Sequence, residues 1–150
     1  MPSAIPADLR SAAATWSRYA PAWLGAAALG VANGVGRRAL YERRLGERAA
    51  HQVSTFTLIA LLAGYLRALE QRWPIPSRRE ALAVGAGWSA ATVAFEFGFG
   101  HYVAGEAWSD LLRDYDLGDG RLWSLVLLWL AVGPAVVREE LVRCPDHPAA

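Results

Sequence analysis

Four long uncharged stretches, each closed off by arginine, dominate this chain. Residues 19–36 and 49–66 each give 18 uncharged residues, and 122–137 give 16. Residues 81–105 give 25 with a single formal charge, Glu96. A helix that crosses a bilayer needs about 20 mostly apolar residues, and flanking arginines can reach the headgroups to extend a short span. The second and fourth stretches are rich in Leu, Ile and Val, the first and third in Ala and Gly. The pattern predicts an all-α fold, a membrane four-helix bundle. Its spans are expected at about 19–36, 51–69, 81–104 and 121–137, in one integral membrane domain, with a flexible tail at 138–150.

Composition agrees with that reading and excludes others. Hydrophobic residues make up 54% and charged residues 19% of the 150, too apolar for a disordered chain. The 15 basic residues are all arginine and meet 14 acidic ones, a balance that excludes nucleic acid as a partner. One cysteine, Cys144, excludes an intrachain disulfide framework. Trp16, Trp73, Trp108 and Trp123 fall near segment ends, where the amphipathic indole suits a membrane interface. The alternative is a soluble helical bundle, which the mean hydropathy of +0.18 leaves open. Such a bundle needs a polar face on each helix, and 122–137 offers only Ser124 as a clear hydrogen-bonding side chain. The first stretch begins late for a cleaved signal, and Gly30 and Gly34 have the spacing of a tightly packed helix. No lipidation motif is evident.

The connections carry their own signals. Arg38 and Glu42, like Arg43 and Glu47, are four apart and can pair on a helix, so the first loop reads as a helical extension. In the second loop Trp73-Pro74-Ile75-Pro76 is a rigid turn, followed by Ser77 and Glu80 as a capping box. In the third, between spans three and four, Trp108, Leu111, Leu112 and Tyr115 form one apolar face of a short amphipathic helix lying on the membrane interface. Four spans put both termini on one side, in the inner membrane of a cell. Arginines near the span ends divide eight to seven in favour of that side, a bare margin for calling it cytoplasmic. So even a division also fits a homodimer of oppositely inserted copies.

Following each span from side to side brings the polar residues together. Asn33 and Arg37 share a face at the end of span one, and His51, Ser54 and Thr55 lie at the start of span two. Gly85, Ser89, Thr92, Glu96 and Gly100 form a small, polar stripe on span three. His101, Tyr102, Asp114, Tyr115 and Arg121 cluster at the same end. A carboxylate within a span costs a few kcal/mol or more unless paired, so Glu96 needs Arg37, His51 or Arg121, with Asn33 and Tyr102 as donors. Intramembrane ionisable groups usually mark functional sites, although the same groups can simply bind helices together.

Several chemistries do not fit. Asp114, Asp116 and Asp119 resemble the start of a calcium loop, but its twelfth position is Leu125 rather than glutamate. Cys144, Asp146 and His147 lie in the tail and suggest no metal centre, and a haem held by His51 and His101 has no other support. No phosphate loop or nucleophilic triad is present, so no cofactor and no metal are expected.

The segments ANGVGRRALYERRLGERAAHQVST (32–55) and VAFEFGFGHYVAGEAWSDLLRDYDLGDGRLW (93–123) cover about two thirds of the chain. Together they resemble an uncharacterised group of small bacterial four-span membrane proteins with the pattern FEFxFGHYVxG, WxxLLxDY and GRxW. Asn33, Arg37, His51, Ser54, Glu96, His101, Tyr102, Asp114, Tyr115 and Arg121 match its motif positions. Arg38 departs from it, standing where the pattern has glutamate. The resemblance implies no activity. The expected function is a multi-pass membrane protein whose polar pocket binds or passes a small solute, ion or proton. A membrane enzyme acting on a lipid and a non-catalytic subunit of a membrane assembly are the alternatives.

Overall fold

A computed structural model describes residues 6–113, 115 and 122–144. Those residues form six helices and no strand: α1 (Ala7–Leu40), α2 (Glu42–Leu45), α3 (Glu47–Arg72), α4 (Arg78–Tyr102), α5 (Trp108–Arg113) and α6 (Trp123–Arg143). The described residues are therefore all-helical, as expected. The arginine-rich first loop is almost entirely helix, interrupted at Tyr41 (φ −139°) and at Gly46. Gly46 has φ +77°, a conformation that a side chain disfavours, and it frees the chain to turn into α3. The turn changes the expected ion pairing. Glu42 Oε2 lies 3.1 Å from Arg37 Nε rather than pairing with Arg38, because the helix breaks between them.

Ser77 caps α4 as expected, its hydroxyl accepting from Glu80 N at 3.2 Å. The Glu80 carboxylate turns instead to α1, accepting from Thr15 Oγ1 at 2.9 Å and Ser11 Oγ at 3.3 Å. The capping box is thus spent on joining two helices.

Side-chain contacts fix how the four long helices run. Between α4 and α6, Arg78 pairs with Glu139, Ser89 Oγ donates to Leu127 O and Trp123 Nε1 donates to Glu96, an antiparallel register over the full length of both. Between α1 and α3, Tyr19 meets Glu70, Tyr65 meets Ala22 and Asn33 meets Ser54, also antiparallel. The pairs Thr15–Glu80 and Trp23–Thr92 set α1 parallel to α4. Tyr19, Leu62, Leu66, Val84, Trp88 and Val126 fill the space between them and are almost fully buried.

The small residues on these helices serve two different ends. Gly85 lies so close to the α6 backbone at Leu130 and Ala131 that a Cβ would collide with it. Gly30 and Gly34, which have the spacing of a packed interface, have nothing within 4 Å of an added Cβ. That expectation is corrected: on this part of α1 the glycines leave open space.

Two helices, Glu47–Arg72 and Arg78–Tyr102, are long and apolar enough to cross a membrane. α1 is longer, but Ala, Gly, Pro21 and Asn33 dilute its apolar character, and in α6 Arg138, Glu139 and Glu140 follow soon after its apolar run. The expected flexible tail starts too early, since α6 continues to Arg143. Arg138 holds that stretch to the second loop, donating from Nε to Ile75 O at 2.9 Å and from Nη2 to Pro76 O at 3.1 Å. Residues 145–150 lie outside the described residues.

Candidate functional site

At the end of the bundle where α1 gives way to α3, the helices part around an open cavity of about 360 Å³. Its lining includes Asn33 and Arg37 from α1, His51, Ser54 and Thr55 from α3, Glu96 from α4, and Tyr115 and Trp123. Six of the ten expected site residues thus meet in one place: Glu96, Arg37, His51, Asn33, Ser54 and Tyr115.

Each is held by a contact that follows from its place in the helices. Asn33 Nδ2 donates to Ser54 Oγ at 2.7 Å and to Ser54 O at 3.0 Å, tying α1 to α3. Thr55 Oγ1 donates back to His51 O at 3.0 Å, within its own helix. Glu96 Oε2 accepts from Tyr115 Oη at 2.7 Å and from Trp123 Nε1 at 2.9 Å. The donors expected for Glu96 were Asn33 and Tyr102; Tyr115 and Trp123 stand in their place. Arg37 Nε faces Glu42 and its side chain is only 19% exposed.

The remaining expected residues lie elsewhere. His101 is five residues beyond Glu96, about 140° round the helix, and so points away from the cavity. Its Nδ1 lies 3.0 Å from Glu106 O, and its ring stacks on Trp108 with centroids 4.1 Å apart. Tyr102 is 79% exposed and packs edge-on against the same histidine. Asp114 and Arg121 lie outside the described residues. The short helix expected before span four is present as α5, and its apolar residues divide between two directions. Leu111 seats on Gly100 and lines the cavity, whereas Leu112 faces outward.

The stripe on α4 also divides. Gly85, Ser89 and Glu96 engage α6, while Thr92 Oγ1 accepts from Trp23 Nε1 of α1 at 3.0 Å. Trp123 was expected only as an interfacial aromatic; its donation to Glu96 follows from the antiparallel register of α4 and α6, which pattern alone does not set.

A second cavity of about 230 Å³ adjoins the first, further along the helices from this end of the bundle. Gly30, Leu58, Phe95, Glu96 and Trp123 line both. The rest of its wall is Trp23, Ala26, Ala27, Val31, Leu62, Thr92, Val126 and Leu130, almost wholly apolar. Nothing in the sequence pattern marked this chamber.

At the opposite end lies a polar cluster that sequence reasoning missed. Glu70 is buried, and both of its oxygens accept from Ile75 N, at 3.1 and 3.2 Å. The Tyr19 hydroxyl lies 3.1 Å from both Glu70 Oε2 and Trp73 O. These groups satisfy the backbone of a turn whose prolines cannot donate, a structural duty. Among the described residues no three His, Cys, Asp or Glu side chains gather as a metal site. The chain matches no family model, no curated protein and no solved structure.

Proposed function

We propose that this is a multi-pass integral membrane protein that binds a small molecule in the cavity around Glu96, near one membrane face. The observation that carries the reading is the register of the long helices. α3 and α4 are the two apolar enough to cross, and α1 and α6 run alongside them for most of their length. A bilayer crossed by α3 and α4 is then crossed by all four. Only 33% and 17% of the apolar windows of α3 and α4 are buried inside the protein, unlike the core helices of a soluble bundle. Leu24, Val31, Phe56, Phe95 and Leu128 are exposed along the same band, a larger apolar surface than water tolerates well. The resemblance to small four-span bacterial proteins is consistent with this.

Within such a band Glu96 is the group whose presence needs a reason. Tyr115 and Trp123 stabilise its carboxylate beside open space, so it can accept hydrogen bonds from a ligand or carry a proton. Alkaline-carbonate extraction of membranes, followed by native mass spectrometry of wild type and Glu96→Gln in mild detergent, tests the reading. The chain is expected in the carbonate-resistant fraction, with a bound mass retained by wild type and lost in the variant. Release by carbonate overturns the membrane assignment; a bare, folded species in both proteins overturns the binding site.

A further inference from the structure

We infer that the ligand is a single-chain amphiphile with an uncharged, hydroxyl-bearing head, bound with its head beside Glu96 and its chain in the adjoining apolar chamber. The inference rests on the membrane-binding reading above and assigns the class of ligand. Two joined cavities of opposite character carry it. The outer one presents amide, hydroxyl and carboxylate groups from Asn33, Ser54, Tyr115 and Glu96. The inner one is walled by buried Ala26, Leu62, Val126 and Leu130 and bordered by the exposed Val31 and Phe95. A small polar solute would leave the inner chamber without a partner, and a plain hydrocarbon would leave unused the further hydrogen-bonding capacity of the outer carboxylate, amide and hydroxyls.

The throat between them is open for a specific reason. Gly30 lines both cavities, and an added Cβ there meets nothing within 4 Å. The missing side chain leaves nothing at this position to divide the two spaces. The head is uncharged because Arg37 and Glu96 already have partners, and Glu106, the other carboxylate of the outer wall, stands exposed. Arg37 is engaged by Glu42, and Glu96 by the hydroxyl of Tyr115 and the indole of Trp123. An ionic head would have to displace one of them in a poorly hydrated site.

The test uses the full chain in phospholipid nanodiscs and a monoacylglycerol carrying a photoreactive diazirine near the end of its acyl chain. Labelling is expected at Leu62, Val126 or Leu130, which are at most 4% exposed, and unlabelled monoolein should compete for it. Gly30→Leu, whose Cβ meets nothing within 4 Å, puts a branched side chain where the two cavities adjoin and should reduce this labelling at least tenfold. Gly64→Leu adds the same side chain at a glycine that is equally unobstructed but lines neither cavity, and should leave it unchanged. Labelling confined to outward residues such as Leu24, Phe56 and Leu128 overturns the inference, as does equal labelling in Gly30→Leu. Competition by glycerol as effective as that by monoolein overturns the amphiphile while leaving a small-solute site intact. Oleate or oleylamine competing tenfold better than monoolein overturns the uncharged head. Failure of the membrane reading is separate, since it appears as carbonate release before any probe is added.

Discussion

Trp123 Nε1 donates to Glu96 Oε2 at 2.9 Å, so the first residue of α6 is fastened to the only acidic residue in the apolar part of α4. The same oxygen accepts from Tyr115 at 2.7 Å. A hydrogen bond to a charged group contributes about 1.5–3 kcal/mol. Trp123→Phe and Tyr115→Phe are each expected to lower thermal stability in detergent, by an amount in that range. Because both act on one oxygen, the double variant should depart from the sum of the singles. Strict additivity in thermal unfolding would mean that the two donors do not share Glu96.

Glu70 serves the opposite end of the bundle. Glu70→Ala strands the buried Ile75 amide, while the Tyr19 hydroxyl keeps Trp73 O as its acceptor. A stranded buried donor costs about 1–3 kcal/mol, so a loss in that range is expected, with faster proteolysis at the 73–77 turn. Glu80→Ala, which removes contacts to the α1 residues Ser11 and Thr15 at a less buried position, should cost less. Equal destabilisation by the two would contradict the structural role assigned to Glu70.

How far the sequence could be read follows from which interactions depend on spacing within one helix. Asn33 with Arg37, and His51 with Ser54, are placed on shared faces by helical geometry, and alternating span direction then brings them to Glu96. Helix existence and the Ser77 cap are local in the same way. The pairing of Trp123 with Glu96 depends on the axial register of α4 against α6, a packing property absent from either helix alone. Arg37 pairs with Glu42 because Tyr41 breaks the helix, an event that the four-residue rule assumes away. The inner chamber escaped notice because Leu62, Val126 and Leu130 look like ordinary core residues until the gap between them is seen.

The glycines offer a sharper contrast than their sequence contexts suggest. Gly85→Ala drives a methyl into the α6 backbone, and overpacking of this kind costs about 1–3 kcal/mol. Gly30→Ala meets nothing and replaces the poorest non-proline helix former with the best, worth up to about 1 kcal/mol in the stabilising direction. Thermal unfolding of the two variants is therefore expected to move in opposite senses from wild type. A stability loss for Gly30→Ala as large as that for Gly85→Ala would mean that Gly30 sits in a packed contact after all.

Topology can be decided with the cysteine that the chain already has. Cys144 is exposed just past the end of α6, and Leu45, 49% exposed, sits at the connection between α1 and α3. If all four long helices cross, Cys144 and residue 45 lie on opposite faces of the membrane. If only α3 and α4 cross, the chain returns after α4 to the face where it entered α3, and the two lie on the same face. An impermeant maleimide applied to right-side-out and inverted vesicles distinguishes these, using wild type and Leu45→Cys in a Cys144→Ser background. The register of α6 along α4 predicts complementary labelling: each cysteine should react in the vesicles where the other is protected. Reaction of both in the same vesicles would require α6 to leave α4 on membrane insertion, and would overturn the four-crossing arrangement. Labelling of about half of each cysteine in both preparations would point instead to insertion in either orientation, the outcome that the near-even division of arginines allows.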